Sequence, residues 1–535
     1  MNVEPVACRF KVPQILAALA LVFLPAMAKA QNAPSAADAQ TGDASAAELD
    51  PLLKKFVDVL GVVQSNAAEP ASLDKEIYGG AIPSMLRPLD PHTQFLDPDQ
   101  FQQLKQMESS EQKGFGSVVS VLPGRVIFLQ TLPGTPSNKA GIMPGDDLVA
   151  VGNYLIANLE PEQIVQLLTQ ARQQEVQIAV RRQGYPRLFT FKLTPALVDS
   201  PTVDRAFLLK PGYAYIRITS WDMQTAQEFR EAIEKLGGNK LQGLVLDLRN
   251  NPGGVVKGAL DGASLFLEPG QRILTAKGRF GKPETADVPA GTKPYHFRLA
   301  VVINAKTASA CEILTGALQD HDRATIVGET SYGKGLVQSV LPLASNAGLA
   351  LTTAFYYTPS GRSIQHPLPN SQLATTFART GAPRPKYKTD AGRTVEGGGG
   401  ITPDVRVAPP APTRLEAVLD ASGAVTNFAT QYLSGHKSIP EQFEITPEIL
   451  DEFKVFLSER NIQPSVADWS RDRNWITSRL QQEIVTQGRG VAAGDEIEMR
   501  RDPQVQAALQ AAQKTQIAEH PYNTSSAVRA FAGHH

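Results

Sequence analysis

A serine and a lysine lie in two short motifs that together could carry out nucleophilic catalysis. Ser309 lies in Thr-Ala-Ser-Ala-Cys-Glu at 307–312, and Lys334 follows in Gly-Lys-Gly-Leu-Val-Gln at 333–338. A serine hydroxyl attacks a carbonyl efficiently only when a base takes its proton. A lysine can be that base when it is neutral, which requires a buried site that lowers its pKa. The pair therefore predicts a lysine-assisted serine nucleophile.

The sequence around Ser309 predicts a turn between a buried strand and a helix. The strand ends at Val302, Ile303 and Asn304, and apolar residues recur on one helical face after the serine. The unpaired NH groups at the start of such a helix favour negative charge on a substrate oxygen. A further strand at 324–329 leads into the glycine-flanked loop of Lys334. Gln338, four residues after Lys334, could accept a hydrogen bond from the lysine amine and aim it. The apolar residues of the helical face are Ile313, Leu314, Ala317 and Leu318.

A third motif offers a place for the developing oxyanion. The hydrophobic strand that begins at Leu244 ends in an Asn-Asn-Pro-Gly-Gly turn at 250–254. One of Gly253 and Gly254, together with the NH of Ala310, would form an oxyanion hole. Each motif alone has a simpler interpretation, as a helix-capping serine, a surface lysine and glutamine, or an ordinary turn at the end of a strand. Their combination in one chain favours the catalytic interpretation.

Several motifs occur in the order seen in one family of peptidases. The chain resembles the carboxy-terminal processing peptidases, also called tail-specific proteases, which are serine endopeptidases with a Ser/Lys dyad. The motifs that carry the resemblance lie at 247–254, 307–313, 316–320, 327–329 and 333–338, and the similarity continues at 356–365 and 400–405.

The resemblance implies a role for each matching residue. Ser309 would be the nucleophile, Lys334 the general base and Gln338 the residue that orients the lysine, while Ala310 and a glycine of the Gly253-Gly254 pair would hold the oxyanion. It also implies a multidomain α/β fold, with a crotonase/ClpP-like α/β catalytic core, an inserted PDZ domain, an N-terminal helical segment and a helical C-terminal extension. The sequence departs from the family at Cys311, which we interpret as a packing variation. It departs again at an insertion over 366–399, expected to be a surface excursion.

The segment before the core resembles a PDZ domain. It begins at Gly114, Phe115 and Gly116, continues through a predicted helix at 161–172, and closes with strands near 176–180 and 188–193. Such domains add a peptide strand to a sheet edge and hold its terminal carboxylate on backbone NH groups, here those of the Gly114–Gly116 loop. The module would therefore capture chain ends, although a module that only packs against the core or gates it remains an alternative.

Two rival functions remain open. A catalytically silent binding or scaffold protein could use the same fold, because a fold does not guarantee its chemistry. A conventional Ser/His/Asp hydrolase would need His92, His296, His321 or His366 as its base, and none of them lies in a suitable motif. His92, in Leu-Asp-Pro-His-Thr at 89–93, is expected to have a structural role because polar groups in turns commonly bind backbone.

Composition and the first residues indicate an exported multidomain enzyme. The chain has 535 residues, 42% of them hydrophobic, and a formal net charge of −1, so no overall field favours nucleic acid. Arg9 and Lys11 precede an apolar run at 15–27 and a small-residue cleavage site at 28–30, which is typical of a secretory signal. We expect a periplasmic protein, with a membrane anchor formed by an uncleaved signal as the alternative. Cleavage would remove Cys8 and leave Cys311, so no intrachain disulfide is expected.

These interpretations give a domain plan and a set of partners. No metal or organic cofactor is implied. The expected partners are protein or peptide substrates with accessible C-terminal tails, and a homo-oligomer formed through the terminal helices is an open alternative. The plan comprises a signal peptide at 1–30, a flexible leader at 31–48, an N-terminal helical segment at 49–110, a PDZ domain at 111–197, a peptidase core at 198–408 and a helical extension at 409–535.

Overall fold

A computed structural model describes most of the chain after the predicted signal. Helix α1 begins at Ala46, within the stretch predicted as leader, and the predicted signal peptide lies outside the described residues. Among the helices described, none is both long and apolar enough to cross a membrane. The described residues are 46–69, 72–107, 111–122, 124–182, 185–199, 201–279, 282–368, 384–436 and 438–514.

The N-terminal segment is helical as predicted, but it also contributes to the core. Pro83 lies in the first turn of a short helix, where its missing NH costs no hydrogen bond, and a π-helical turn at Ile77–Ala81 precedes it. A three-residue strand then pairs antiparallel with a long core strand, so this part of the segment belongs to a core sheet. The elements are α1 (Ala46–Asn66), α2 (Leu73–Glu76), α3 (Ile82–Leu86), β1 (Gln94–Leu96) and α4 (Pro98–Met107).

Residues 111–199 form a small β-module. Its antiparallel sheet has the order β3-β4-β5-β7-β8, which leaves β3 at an edge, and β2 pairs with β9 where the chain enters and leaves the module. Helix α6 packs beside β3 and buries Ile164 in the module's core. The elements are β2 (Glu111–Gly114), β3 (Ser117–Leu122), β4 (Arg125–Thr131), α5 (Pro136–Ala140), β5 (Asp147–Val151), β6 (Tyr154–Leu155), α6 (Pro161–Ala171), β7 (Val176–Arg181), β8 (Phe189–Leu193) and β9 (Ala196–Asp199).

The central domain is built on a six-stranded sheet of order β10-β11-β12-β15-β16-β21. All neighbours in this sheet are parallel except β10 and β11. Its elements and those of the adjoining sheet are β10 (Val203–Lys210), β11 (Tyr213–Ile218), α7 (Thr225–Leu236), β12 (Gly243–Asp247), α8 (Val256–Ala263), β13 (Arg272–Gly278), β14 (Glu284–Asp287), β15 (Arg298–Ile303), α9 (Ala310–Asp320), β16 (Thr325–Gly328), β17 (Leu336–Pro342), β18 (Gly348–Tyr357), β19 (Lys386–Lys388), β20 (Thr394–Glu396) and β21 (Val405–Arg406).

Helices cover both faces of the six-stranded sheet. Alternate residues of a strand point to opposite faces, so Leu244 and Leu246 of β12 pack with α7, α8 and α9, while Val245 packs with α15 (Pro503–Lys514). All five residues of β12 are buried, as expected for a central parallel strand. Because β12 is packed on both faces, its C-terminal end has a fixed position, and so does the start of the loop that follows it.

A second, antiparallel sheet lies beside the first. Its order is β1-β18-β13-β14, and β17 also pairs with β18, along residues 348–355. Gln94 of β1 pairs with Ala350 of β18, while Gln338 of β17 pairs with Thr352. The N-terminal segment and the lysine-bearing loop are therefore held by the same strand.

The second half of the predicted insertion is not a surface excursion. Residues 369–383 lie outside the described residues, but β19 and β20 form a hairpin on the core. Val395 is buried, the buried Arg362 donates to the carbonyl of Glu396 at 3.0 Å, and Gly398 N–H donates to the carbonyl of Ser363 at 2.7 Å. Backbone bonds and one buried side chain therefore make this hairpin part of the domain.

The C-terminal extension is helical, as predicted, up to the last described residue. Helices α10 to α13 share a core of their own, and α15 packs on the central sheet as one of its layers. Helix α15 therefore completes the central domain by covering one face of its sheet. The elements are α10 (Arg414–Ala421), α11 (Ala424–Gly435), α12 (Pro447–Ser458), α13 (Val466–Arg489), α14 (Val491–Met499) and α15 (Pro503–Lys514).

Candidate active site

Three neighbouring parallel strands end at the same edge of the central sheet. Asp247 ends β12, Ile303 ends β15 and Gly328 ends β16, and the loops that follow carry the glycine turn, Ser309 and Lys334. Open α/β sheets commonly place their sites at the carboxyl ends of parallel strands. The topology therefore brings together the three motifs that the sequence singled out.

Ser309 lies at the turn between β15 and α9 in an unusual backbone conformation. Its φ is 55° and its ψ is −114°, a region that L-residues rarely occupy, and its side chain is fully buried. The hydroxyl Oγ has no hydrogen-bond partner among the described residues. The carbonyl of Ser309 accepts a hydrogen bond from the Tyr356 hydroxyl at 3.3 Å. The turn therefore leaves the buried Ser309 hydroxyl without a hydrogen bond at the start of α9, while the backbone of Ser309 is fixed.

Glu312 joins the serine turn to the lysine loop. Its Oε2 accepts hydrogen bonds from Ser309 N–H at 2.8 Å and from Lys334 N–H at 2.9 Å. Its Oε1 accepts from Gly333 N–H at 2.7 Å and from the Ser331 hydroxyl. Burial raises the pKa of Glu312 to about 7, although these hydrogen bonds oppose the rise. One carboxylate oxygen thus holds the backbones of Ser309 and Lys334 side by side.

Sequence reasoning assigned no role to Glu312. The spacing Ser-x-x-Glu of a helix capping box was present, and it indicates that the glutamate reaches back to the cap residue. What the spacing does not indicate is the contact with Gly333 and Lys334, which belong to the next loop. That contact depends on the packing of β15 against β16.

The Lys334 amine lies in a site that lowers its basicity. The side chain is buried, and Nζ donates to Gln338 Oε1 at 2.8 Å. Desolvation lowers the pKa of Lys334 to about 8, while the charges of Asp90 and Glu312 partly offset that effect. A fraction of the amine is therefore neutral near neutral pH, as a general base requires.

The segment before the β-module completes the support of this lysine. Gln338 Nε2 donates to the backbone carbonyl of His92 at 2.7 Å, which fixes the amide so that its oxygen faces the amine. The buried Asp90 carboxylate shapes that turn by accepting from His92 N–H at 2.7 Å and from Thr93 N–H at 2.9 Å. The pKa of the His92 side chain is lowered to about 4 by burial and by the Lys334 charge. His92 is therefore neutral at pH 7, and its carbonyl is what contacts the site.

The other histidines that a conventional triad would need lie elsewhere. His321 caps the far end of α9 and contacts Asp390, whereas Ser309 is at the start of that helix. His296 is exposed and faces Glu268. His366 lies against the backbone of Gly333, and its pKa is lowered by burial and by Arg384. None of them is hydrogen-bonded to Ser309 Oγ.

The glycine turn lies directly against the serine turn. A Cβ atom on Gly253 would lie 2.8 Å from the carbonyl oxygen of Ala308 and 3.0 Å from the Ala310 nitrogen, so only glycine permits this approach. Both glycines have positive φ, 102° for Gly253 and 140° for Gly254. Gly253 N–H donates to Asn251 Oδ1 at 2.9 Å, whereas no described residue accepts from the N–H of Gly254 or of Ala310. The backbone N–H groups of Gly254 and Ala310 are therefore unengaged among the described residues.

Cys311 is part of the packing around this turn. Its thiol is fully buried, and its sulfur accepts a hydrogen bond from Trp221 Nε1 at 3.2 Å. Burial raises the pKa of the thiol above its ordinary value. A buried neutral thiol is a poor nucleophile, which agrees with the interpretation of Cys311 as a packing variation.

The loop Gly114–Gly116 lines a separate cavity of about 570 Å³ between the β-module and β10. Gly116 has a φ of 72°, and its carbonyl accepts from Leu132 N–H at 2.8 Å, while Phe115 accepts from Ser137 N–H at 3.0 Å. The side chains of Phe128 and Leu148 line the same cavity, which gives it an apolar wall. In the described part of the chain no group of three or more His, Cys, Asp or Glu side chains is arranged to hold a metal ion.

Comparison with known proteins identifies the family. The model of peptidase family S41 matches residues 212–371, and the model described as "Probable PDZ-protease, C-terminal helical domain" matches residues 415–466. The carboxy-terminal-processing protease of Bartonella bacilliformis is 32% identical over 296 residues, which cover 55% of this chain and 68% of that protein. This chain belongs to the carboxy-terminal processing peptidases of family S41.

Other members of this peptidase family are similar to a comparable extent. The carboxyl-terminal-processing protease of Synechocystis is 35% identical over 293 residues, which cover 53% of this chain and 67% of that protein. Among solved structures, the photosystem II D1 C-terminal processing protease shares 26% identity over 66% of this chain and 86% of that chain, with a TM-score of 0.36. The S41 match contains the glycine turn, Ser309 and the lysine loop. The chain is therefore a serine-type peptidase by family.

Proposed function

We propose that this peptidase cleaves proteins with a Ser309/Lys334 dyad and selects them by their C-terminal tails. The observation that carries the proposal is the shared carboxylate of Glu312, which holds both backbones beside each other while the Lys334 amine is buried with a pKa near 8. A catalytically silent scaffold would gain nothing from a buried lysine with a lowered pKa, because burying an amine costs stability.

The proposed reaction is acyl transfer through an ester on the serine. Ser309 Oγ bonds to the scissile carbonyl carbon as its proton passes to Lys334 Nζ, and the N–H groups of Ala310 and Gly254 hold the resulting oxyanion. The C–N bond then breaks, and the lysine ammonium protonates the leaving amine. Water attacks the ester with Lys334 again as base, which releases the acid and restores the hydroxyl. Gln338 keeps the amine directed throughout, because its own amide is fixed by His92.

The proposed function includes a fold type for the central domain and another for the β-module. We assign the central sheet with its helices to the crotonase/ClpP-like type and the β-module to a PDZ domain inserted before it. Supporting the second assignment, the edge strand β3 lies beside α6 and next to the Gly114–Gly116 loop, an arrangement that suits the addition of a peptide strand. The signal-like first 30 residues support export to the periplasm, where loosely folded chain ends would be the substrates.

Tail selection predicts that cleavage depends on a free terminal carboxylate. A loosely folded protein with an apolar C-terminal tail should be degraded by the wild-type chain at least about tenfold faster than the same protein with an amidated terminus, because a carboxylate binds charge-assisted N–H donors more strongly. Degradation is followed by gel or fluorescence, with Ser309→Ala as the blank. Equal rates for both termini would overturn tail capture. If neither protein is cut, even with added tail peptide, the scaffold alternative is correct.

Helix α1 supports a homo-oligomer. Its exposed surface is apolar on several sides, which a soluble monomer rarely tolerates at this extent. Asp50 and Asp58 alternate with Lys54 and Lys55 along the helix, so antiparallel pairing with α1 of a second copy would bring opposite charges together. The exposed apolar residues are Leu49, Leu52, Leu53, Phe56, Val57, Val59, Val62 and Val63.

Oligomerisation through α1 predicts a change of mass on substitution. The chain lacking its signal should sediment as a dimer or a larger assembly, and the double substitution Phe56→Glu and Val57→Glu should shift it to monomer, because charges would enter an apolar contact. Lys293→Glu, at an exposed lysine of the core that lies outside α1, is the control and should leave the mass unchanged. A wild-type chain that is monomeric at micromolar concentration would contradict the proposal.

A further inference from the structure

We propose that the tail-binding cavity is shared between domains: Arg205 of the peptidase core receives the terminal carboxylate of a bound tail, and Asp495 of the C-terminal helices holds Arg205 until a tail displaces it. The inference rests on the proposed tail capture and adds to it a receptor group and a link to the helical region. Neither residue belongs to the β-module, since Arg205 lies in β10 and Asp495 in α14.

Arg205 lines the same cavity as the Gly114–Gly116 loop. The wall of that cavity carries three cationic residues, Lys113, Arg172 and Arg205, against one anionic residue, Asp204. The Asp204 carboxylate is itself paired with Arg217 through two hydrogen bonds of 2.9 and 2.6 Å. The cavity lining therefore combines a net positive charge with apolar side chains such as Phe128 and Leu148. This suits a ligand with one anionic terminus and an apolar last side chain.

The guanidinium of Arg205 is held in place but is not saturated. Its Nε donates to Asp495 Oδ2 at 2.7 Å, and its Nη1 donates to the Asp204 carbonyl at 2.6 Å. No described residue accepts a hydrogen bond from Nη2. The Arg205 side chain is 16% exposed and lines the cavity, so its guanidinium is largely desolvated but accessible to a ligand there. Two parallel N–H donors of an arginine match a carboxylate, and release of Nε from Asp495 would complete that pair.

Asp495 can release Arg205 without being left unpaired. Its Oδ2 also accepts a hydrogen bond from Arg217 Nη2 at 3.0 Å. A buried carboxylate that loses its only partner is strongly destabilised, but this one keeps a second guanidinium. A tail carboxylate therefore replaces Asp495 at Arg205, and the Asp495–Arg217 pair remains.

Replacement of Asp495 by a tail carboxylate would affect α14, which lies near the edge strand β3. Asp495 and Val491 of α14 line a surface cleft together with Val119 and Ser120 of β3, the strand to which a tail would add. Loss of the Asp495–Arg205 contact removes one of the bonds that tie α14 to the core. Tail capture therefore loosens α14, which gives the C-terminal helices a way to respond to substrate.

The proposal predicts opposite effects for the two partners. In the full-length Ser309→Ala chain, which binds without cutting, Arg205→Gln should weaken binding of a fluorescent apolar tail peptide with a free carboxylate by about 10- to 100-fold, since a charge-assisted pair is lost. Asp495→Asn should tighten it by about three- to tenfold, because Arg205 loses a competing anion. Arg187→Gln, an exposed arginine outside the cavity, is the control for lost charge and should change neither value.

The amidated peptide separates this inference from the function on which it rests. Arg205→Gln should leave binding of the amide unchanged, and Arg205→Lys should give an intermediate affinity for the acid because the charge remains without the fork. Wild-type binding that prefers the acid but is unaffected by Arg205→Gln, or an Asp495→Asn chain that binds more weakly, overturns the inference alone. Wild-type binding that does not distinguish acid from amide overturns tail capture itself.

Hydrogen exchange tests the link to the helices. The free-acid peptide should raise amide exchange in α14 of the Ser309→Ala chain and should not do so when Arg205→Gln is added. Unchanged exchange in α14 on saturation with peptide would contradict the displacement of Asp495. Thermal unfolding of each variant checks that it is folded.

Discussion

Ser309→Ala is expected to lower kcat for peptide hydrolysis by about 10⁵-fold, and Lys334→Ala by about 10³-fold. The serine supplies the atom that bonds to substrate, and nothing else in the described site is placed to replace it. The lysine supplies the proposed proton acceptor, and its loss leaves Ser309 Oγ without a base, because no histidine of the described site is hydrogen-bonded to that hydroxyl. The measurement is single-turnover cleavage of an unfolded substrate, with the fold of each variant checked by circular dichroism.

Lys306→Ala is the matched control for the lysine. Lys306 is an exposed lysine three residues before Ser309, in the same turn. Its loss changes the charge near the site by the same amount and should leave kcat within about twofold of wild type, because exposed charges contribute little. An equal loss from both lysine substitutions would show that charge near the turn matters and that Lys334 is not the base.

The dyad also predicts the shape of the pH profile. Only the neutral amine accepts a proton, and burial lowers the pKa of Lys334 to about 8. The value of kcat/KM should therefore rise as pH increases through about 8 and fall by about tenfold for each unit below it. Because the Asp90 charge raises the pKa of Lys334, Asp90→Asn should move this limb to lower pH. A limb that stays in place in the Asp90 variant would assign the titration to another group.

The parts of the site that the sequence predicted are those encoded by local patterns. A buried strand followed by Ser309 and a helical apolar face indicates where the turn lies, and the structure has α9 beginning at Ala310. Similarly, the Asn-Asn-Pro-Gly-Gly motif indicates an abrupt end to β12, and the two glycines do adopt positive φ. Such features depend on neighbours within a few residues, so periodicity and turn chemistry suffice to find them.

The parts that the sequence did not predict depend on distant pairing. The contact of Gln338 with His92 exists because β1 and β17 both pair with β18, and no pattern in 89–96 indicates that register. Similarly, the sequence of α15 is typical of an amphipathic helix, but it does not indicate that the helix covers a face of the central sheet. Hydrophobic periodicity shows that a face is buried and leaves open what buries it. The same reason explains why the hairpin β19–β20 was expected at the surface.

Gly253→Ala is expected to lower kcat by about 10²- to 10³-fold with little change in KM, the range found when one oxyanion donor is lost. The added methyl would lie 3.0 Å from the Ala310 nitrogen and 3.0 Å from Ser309 Cβ. That volume is next to the N–H group assigned to the oxyanion, so the methyl either occupies the hole or pushes the serine turn away. Ground-state binding of the tail and of the substrate backbone uses other surfaces, so KM should be retained.

Gly291→Ala separates crowding from backbone strain. Gly291 has a φ of 86°, and a Cβ atom there meets no other atom within 4 Å, so its substitution carries a similar conformational penalty without the contact. Gly291→Ala should lose about 1 kcal/mol of stability, because alanine tolerates positive φ poorly, and Gly253→Ala should lose more, because its methyl also meets the Ala308 carbonyl oxygen at 2.8 Å. Only Gly253→Ala should lose activity. If Gly253→Ala retains kcat within about twofold while folded, the oxyanion is held elsewhere and the contact between the glycine and serine turns is purely structural. A loss of kcat confined to Gly253 instead means that this close approach, made possible by the absence of a side chain, is what shapes the oxyanion hole beside Ala310.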